Sequence, residues 1–357
     1  MAKTKIMLEK RLTVPTSVKA FVPIIAIFLA LVATSIFFIV GGKNPIEMYI
    51  EMFGGAFGSW YGISETLVKT IPLLICALGV SVAFRMQLYN TGAEGQLYMG
   101  ALAATYVALF VPNIPTLLRL PVMMLAALLA GALWAFIPAI SKALWDVNEV
   151  ITTLLLNYVA ILTVESLLFG AWKDPNGFNF PQTAQFDQSF RLPAFGTTRI
   201  HMGLVIGIVL AVILYIVFSK TKWGYEIRVM GESKRVAVYS GMNISRNIVI
   251  VLCLSGALAG LAGMSEVSGV SGRLIRSISD NFGYSAIIVA WLARLNPFMI
   301  IVVSFLFGGL LSSGSTIQMA GLPASTSYML QGTILFFVLA GELFIRYKVR
   351  FIKQEVE

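Results

Sequence analysis

The chain has 357 residues, of which 58% are hydrophobic and only 12% charged, with a mean hydropathy of +0.84. Soluble domains carry about 25% charged residues, and a water-soluble fold has nowhere to bury this much apolar surface, so composition excludes an ordinary soluble enzyme and points to a polytopic α-helical membrane protein. The net charge of +9 raises nucleic acid as a partner, but the charges are spread as membrane topology spreads them, and the apolar runs are continuous, which argues against a β-barrel.

The chain opens with Lys3, Lys5, Lys10, Arg11 and Lys19 and then runs apolar over 21–40. A cleaved signal has a shorter apolar region followed by small residues in an A-x-A-like pattern. Neither is present, so 21–40 reads as an uncleaved first span and 1–20 as a basic cytoplasmic N-terminus. Residues 44–60 read as a short interfacial helix and loop outside. Further spans fall at 66–84, 93–111, 120–140, 148–169, 201–218, 247–267, 284–295, 297–314 and 328–345, making ten. The stretch 284–295 is too short to cross alone. It reads as a broken or partly re-entrant helix, or as one extended by the segment before it.

With the N-terminus inside, most of the 26 Lys and Arg lie inside. The exceptions are Lys43, Lys69, Arg119, Lys173, Arg191, Arg199, Arg273 and Arg276. An even number of spans and two basic ends put both termini in the cytoplasm. The long segment 170–199, rich in Pro, Gly, Asn and aromatics, then becomes a folded external loop.

Polar residues inside apolar runs carry the functional signal. The segment Phe84–Gly100 contains Arg85, Asn90, Glu94 and Gln96, with Gly92 and Gly95 allowing a tight turn and close helix approach. Glu94 reads either as an acid at a helix N-terminus or as part of a translocation path. Glu149, Thr153 and Asn157 are spaced by four and share a helix face. That face reads as helix glue or as path lining. Gly256-x-x-x-Gly260 reads as a close-packing motif. Asn90-Thr-Gly and Asn281-Phe-Gly each open a span as N-caps, a faint inverted repeat. The segment Ser312–Gln331, rich in hydroxyls, reads as facing a polar cavity or as an outer loop.

Cys76 and Cys253 read as buried hydrophobes and His201 as structural. There is no P-loop, nucleophile elbow or metal-spaced cluster, so no catalytic residue, metal or cofactor is expected. A proton-coupled carrier would more often show a buried carboxylate or His relay. The basic island 220–246, KTKWGYEIRVMGESKRVAVYSGMNISR with its neighbours, is long enough for a helix on the membrane surface, where an outside energy source can attach.

Taken together, YNTGAEGQLYMGA, NEVITTLLLNYVA, GYEIRVMGESKRVAVYSGMNISR with LSGALAGLAG, and YSAIIVAWLARLNP resemble the ABC-importer permeases of the branched-chain amino acid, ribose and simple-sugar class, in order from about residue 60 to 345. NEVITTLLLNY is similar to the nucleoside branch. The resemblance implies one permease domain over 1–357, with an external receptor lipoprotein, a second and often different permease, and a cytoplasmic ATPase as partners. It implies a coupling helix at about Met230–Met242, with Gly231, Glu232, Ala237 and Gly241 at the matching positions. It implies nucleoside import. Simple sugars or amino acids are the alternatives, and an ion-coupled secondary carrier is the alternative of a different class.

Overall fold

The computed structural model describes residues 3–10, 15–323 and 325–354. The chain forms two compact units, one of 56–312 and one drawn from 1–55 and 313–357. In chain order the elements are β1 (Lys3–Lys10), α1 (Thr16–Val40), α2 (Pro45–Phe57), α3 (Trp60–Arg85), α4 (Ala93–Phe110), α5 (Thr116–Trp145), α6 (Glu149–Phe169), α7 (Gly203–Lys220), α8 (Lys222–Glu232), α9 (Lys234–Tyr239), α10 (Ile244–Glu266), α11 (Phe282–Leu292), α12 (Pro297–Ser312), α13 (Gly314–Met319), α14 (Ser325–Arg346) and β2 (Tyr347–Gln354).

Each of the ten expected spans coincides with a helix, but the count is approximate. Among the described residues, six helices are long and apolar enough to cross a membrane, or seven if the pair α1 and α2, bent by 109°, counts as one span. The polar start of α4 (Ala93-Glu94-Gly95-Gln96) shortens its apolar stretch. The eleven residues of α11 rise about 16 Å, half of a hydrocarbon core about 30 Å thick. The expected interfacial segment after the first span is helix α2.

In the smaller unit, β1 pairs antiparallel with β2, from Lys3 opposite Gln354 to Lys10 opposite Tyr347. This ribbon departs from an all-helical fold, and α1 already begins at Thr16, inside the segment expected to be a basic tail. The pairing brings residues 3–10 and 347–354 together.

The larger unit is built around α10, which packs on α3, α4 and α5. Small residues let the backbones touch. A Cβ on Gly100 would lie 2.2 Å from the Gly260 carbonyl oxygen, one on Gly131 2.1 Å from that of Gly256, and one on Gly263 2.0 Å from that of Leu97. The Gly256/Gly260 spacing is thus a packing seam, as lipid-embedded helices require. α3 is buried almost throughout, whereas α5 and α6 turn Leu125, Leu129, Leu133, Ile151, Leu155 and Leu162 outward.

After α10 the chain makes a π-helical turn, Val267–Ser271, and runs irregularly to α11. The long segment 170–199 is strapped onto this break. Thr183 N–H donates to Leu274 O (3.0 Å), Phe186 N–H to Gly272 O (2.8 Å), Leu192 N–H to Ser268 O (3.1 Å), and the Ser268 hydroxyl to Phe190 O (2.6 Å). His201 is fully buried, and its Nδ1 accepts the Gly203 N–H that opens α7. That bond at the first turn of α7 gives His201 a structural role.

The seam makes a direct stability prediction. Gly260→Val places a side chain 2.3 Å from the Ala127 carbonyl and is expected to cost about 1–3 kcal/mol or more. Gly54→Ala, in a helix with nothing within 4 Å, is expected to be neutral or stabilising by up to about 1 kcal/mol. Thermal unfolding of the purified protein in one detergent compares them.

Candidate functional site: a buried polar junction and an exposed basic segment

The candidate path residues come together at one junction where the starts of α4 and α11 meet α6 and α10. Asn90, just before α4, forms an amide pair with Gln96. Its Nδ2 donates to Gln96 Oε1 (2.8 Å) and to Ser255 Oγ on α10 (2.8 Å), while its Oδ1 accepts from Gly92 N (3.1 Å) and Gln96 Nε2 (3.1 Å). It folds the turn before α4 without capping it: the cap position is Gly92 and has no side-chain bond. Asn281, likewise, does not cap α11 through its side chain. It takes a left-handed φ of 59°, and Ser279 Oγ accepts the Phe282 N–H.

Glu94 is almost fully buried in the first turn of α4, and its Oε2 accepts the Gly283 N–H at the start of α11 (2.8 Å). A Cβ on Gly283 would sit 2.3 Å from Glu94 N, so only glycine lets the two helix starts touch. Asn157, fully buried on α6, accepts from Gly95 N (2.8 Å) and donates to Thr91 O (2.8 Å) and the Tyr284 hydroxyl (3.0 Å). Thr153 shares a hydrogen bond with Thr91 Oγ1 (2.8 Å) and donates to Glu149 O (2.7 Å). Glu149, at the base of α6, pairs with Lys142 (3.2 Å) and accepts weakly from Tyr89 N (3.4 Å). All five residues are buried and bonded to protein.

Tyr284, Ser255, Gly283 and Lys142 complete the junction and were not singled out as site residues. The Asn281-Phe-Gly segment and the YSAIIVAWLARLNP stretch, which begins at Tyr284, mark this region in the sequence. Glu266 is buried at the end of α10, and its Oε2 has no hydrogen-bond partner among the described residues. Nearby in sequence, Asp280 forms an ion pair with Lys69 of α3.

The basic island is a helix pair rather than one helix over 230–242. α8 ends at Glu232, Ser233 is extended, and its hydroxyl caps α9 by accepting the Val236 N–H (3.4 Å). A Ser competes with the helical backbone in this way. Gly231 and Glu232 therefore end α8, Ala237 lies in α9, and Gly241 follows it with φ +73°. Open space surrounds Gly241, so its glycine serves the backbone turn and not a tight contact.

α8 is anchored: Trp223 Nε1 donates to Asn247 Oδ1 of α10 (2.9 Å), and Gly224 lies against the Val217 carbonyl. α9 buries only Ala237 and exposes Val236, Val238 and Tyr239, the last at 95%. A cavity of about 450 Å³ between α8, the turn after α9 and the start of α10 is lined in part by Trp223, Glu226, Met242, Asn243, Arg246 and Ile250. Exposed apolar side chains on a basic, polar segment are what a partner surface requires.

A profile described as branched-chain amino acid transport system, permease component, matches residues 62–339. The chain is 34% identical to a glucose ABC transporter permease of Haloferax volcanii over 97% of this chain and 93% of that one. It is 30% identical to a guanosine ABC transporter permease of Bacillus subtilis (93% and 94% covered) and 31% identical to a nucleoside ABC transporter permease of Lactococcus lactis (90% and 90%).

The junction predicts a measurable cost. Asn157→Leu removes three hydrogen bonds, each worth about 0.6 kcal/mol in a membrane, and strands the Gly95 N–H. A loss of about 2 kcal/mol or more is expected in detergent unfolding. Unchanged unfolding would show that the junction does not hold α6 to α4.

Proposed function

Since the chain belongs to the family of branched-chain amino acid transport system permease components, we propose that it forms the translocation pathway of an ATP-driven importer of nucleosides. It is a multi-pass membrane permease subunit and not an ATPase, and an ATPase and a substrate-binding partner belong to such a system. In the reading offered here, the receptor is a lipoprotein outside, a second and different permease completes the pore, and α8 with α9 docks the ATPase.

The observation that carries the substrate reading is the similarity to guanosine and nucleoside permeases over nearly the whole chain. The glucose relative favours a second reading, a simple sugar. Both substrates are uncharged and rich in hydroxyls. A permease for either needs weak, uncharged hydrogen-bonding groups, while tight binding falls to the receptor. The five junction residues act in this reading by holding the helix starts that border the path. The ATPase assignment rests on the exposed Val236, Val238 and Tyr239. The orientation, with both termini and α8–α9 in the cytoplasm and 170–199 outside, is supported by the basic bias and by the paired chain ends.

Uptake of radiolabelled guanosine by cells expressing the complete transporter tests the substrate. Excess uridine or adenosine is expected to suppress it and excess glucose to leave it unchanged. The reverse pattern would establish the sugar reading.

Orientation and docking are tested together with Tyr239→Cys in a Cys76→Ala, Cys253→Ala background. An impermeant maleimide is expected to miss this thiol in intact cells and to label it in inside-out vesicles stripped of ATPase. Adding the ATPase back should shield it. Labelling from outside would invert the topology, and labelling unaffected by the ATPase would remove α9 from the dock.

A further inference from the structure

Arg85 stands where four elements of the larger unit converge. It is the last residue of α3. Its guanidinium lies over the Phe218 ring near the end of α7, with Cζ 4.0 Å from the ring centroid. Its Nη2 donates to the Leu295 carbonyl in the turn between α11 and α12. Its own carbonyl faces Gly231 of α8 so closely that a Cβ there would lie 2.1 Å from the oxygen. No side chain cushions that contact, so a displacement of α8 is passed straight to the end of α3.

The turn that Arg85 holds is under backbone tension. Arg294 and Leu295 are successive non-glycine residues with φ of 51° and 58°, a region that L side chains seldom adopt without support from their surroundings. Arg85 supplies part of that support through the Leu295 carbonyl. Its Nε is buried and has no partner among the described residues. A buried donor left unmet costs free energy, so the Arg85 contacts are not held at a fully satisfied minimum. At its other end, α11 begins on the Glu94–Gly283 contact. The path from α8 to the buried junction is therefore Gly231, Arg85, Leu295 and then the length of α11.

We propose that Arg85 is a positioning residue that transmits movement of the ATPase-docking segment to α11, and through it to the junction at the start of α4. This rests on the reading of α8 and α9 as the ATPase dock. Arginine suits the task because its planar fork stacks on Phe218 and bonds the carbonyl at the same time, where a lysine ammonium keeps the charge and loses the stacked fork. The proposal assigns Arg85 no contact with substrate.

The test is the complete transporter in proteoliposomes, with guanosine uptake and ATP hydrolysis measured on the same preparation. Arg85→Gln is expected to assemble with the ATPase and hydrolyse ATP, while uptake per ATP falls by roughly threefold to tenfold, the scale on which residues along a coupling network act. Arg85→Lys should recover part of the loss. Should Arg85→Gln fail to assemble, Phe218→Leu, which keeps the apolar volume and removes the ring, is expected to lower uptake per ATP in the same direction. Normal uptake per ATP in an assembled Arg85→Gln complex, or in Phe218→Leu when the former does not assemble, overturns the proposal. So does a fall in Phe218→Leu uptake that only matches a fall in its assembled complex. The dock reading fails separately, by loss of ATPase shielding at Tyr239→Cys, which leaves the Arg85 measurement interpretable.

Discussion

The Glu94–Gly283 hydrogen bond is the constraint on which the larger unit depends. Hydrocarbon offers no water to a free N–H, so a helix that starts at membrane depth must find its acceptors within the protein. Here two helices start side by side, α4 after an irregular turn and α11 after the break that follows α10. Glu94 belongs to the first turn of one and accepts from the backbone of the other. Asn90 and Asn157 follow the same rule, taking the Gly92 and Gly95 N–H groups. The polar side chains that stand out in apolar sequence are therefore explained first by the backbone groups they satisfy.

That arrangement needs close approach, and glycine provides it. Gly283 admits Glu94, Gly95 admits Asn157, and Gly100, Gly131, Gly256, Gly260 and Gly263 bring α4, α5 and α10 into backbone contact. The result is a tightly packed block of α3, α4, α5 and α10. Attached to it are two less committed pieces: the helix pair α8–α9, which exposes one face, and α11, half a membrane long and bounded by a break and a strained turn. Discontinuous helices of this kind border substrate sites in transporters.

The spans were legible because a lipid-facing helix needs a long apolar run whatever its neighbours are. The Gly256/Gly260 seam was legible for a related reason, since few other uses of that spacing exist within a membrane helix. What could not be read depended on partners distant in the chain. Asn90 and Asn281 look like N-caps locally, yet their roles are set by Gln96 and Ser255 in one case and by a left-handed turn in the other. Tyr284 is an ordinary interfacial tyrosine until Asn157 is placed beside it. The split of the basic island at Ser233 reflects a hydroxyl that caps one helix by ending another. The pairing of β1 with β2 joins the two ends of the chain, a separation that no local pattern reports.

The most direct measurement of the Glu94–Gly283 constraint is hydrogen exchange at the start of α11, followed by mass spectrometry of the protein in nanodiscs. Peptides covering 279–290 are expected to exchange slowly in the wild type and in Glu94→Gln, whose amide oxygen still accepts from Gly283, and rapidly in Glu94→Ala. Equal protection in Glu94→Ala and the wild type would contradict the account, because α11 would then be held at its start by something other than Glu94.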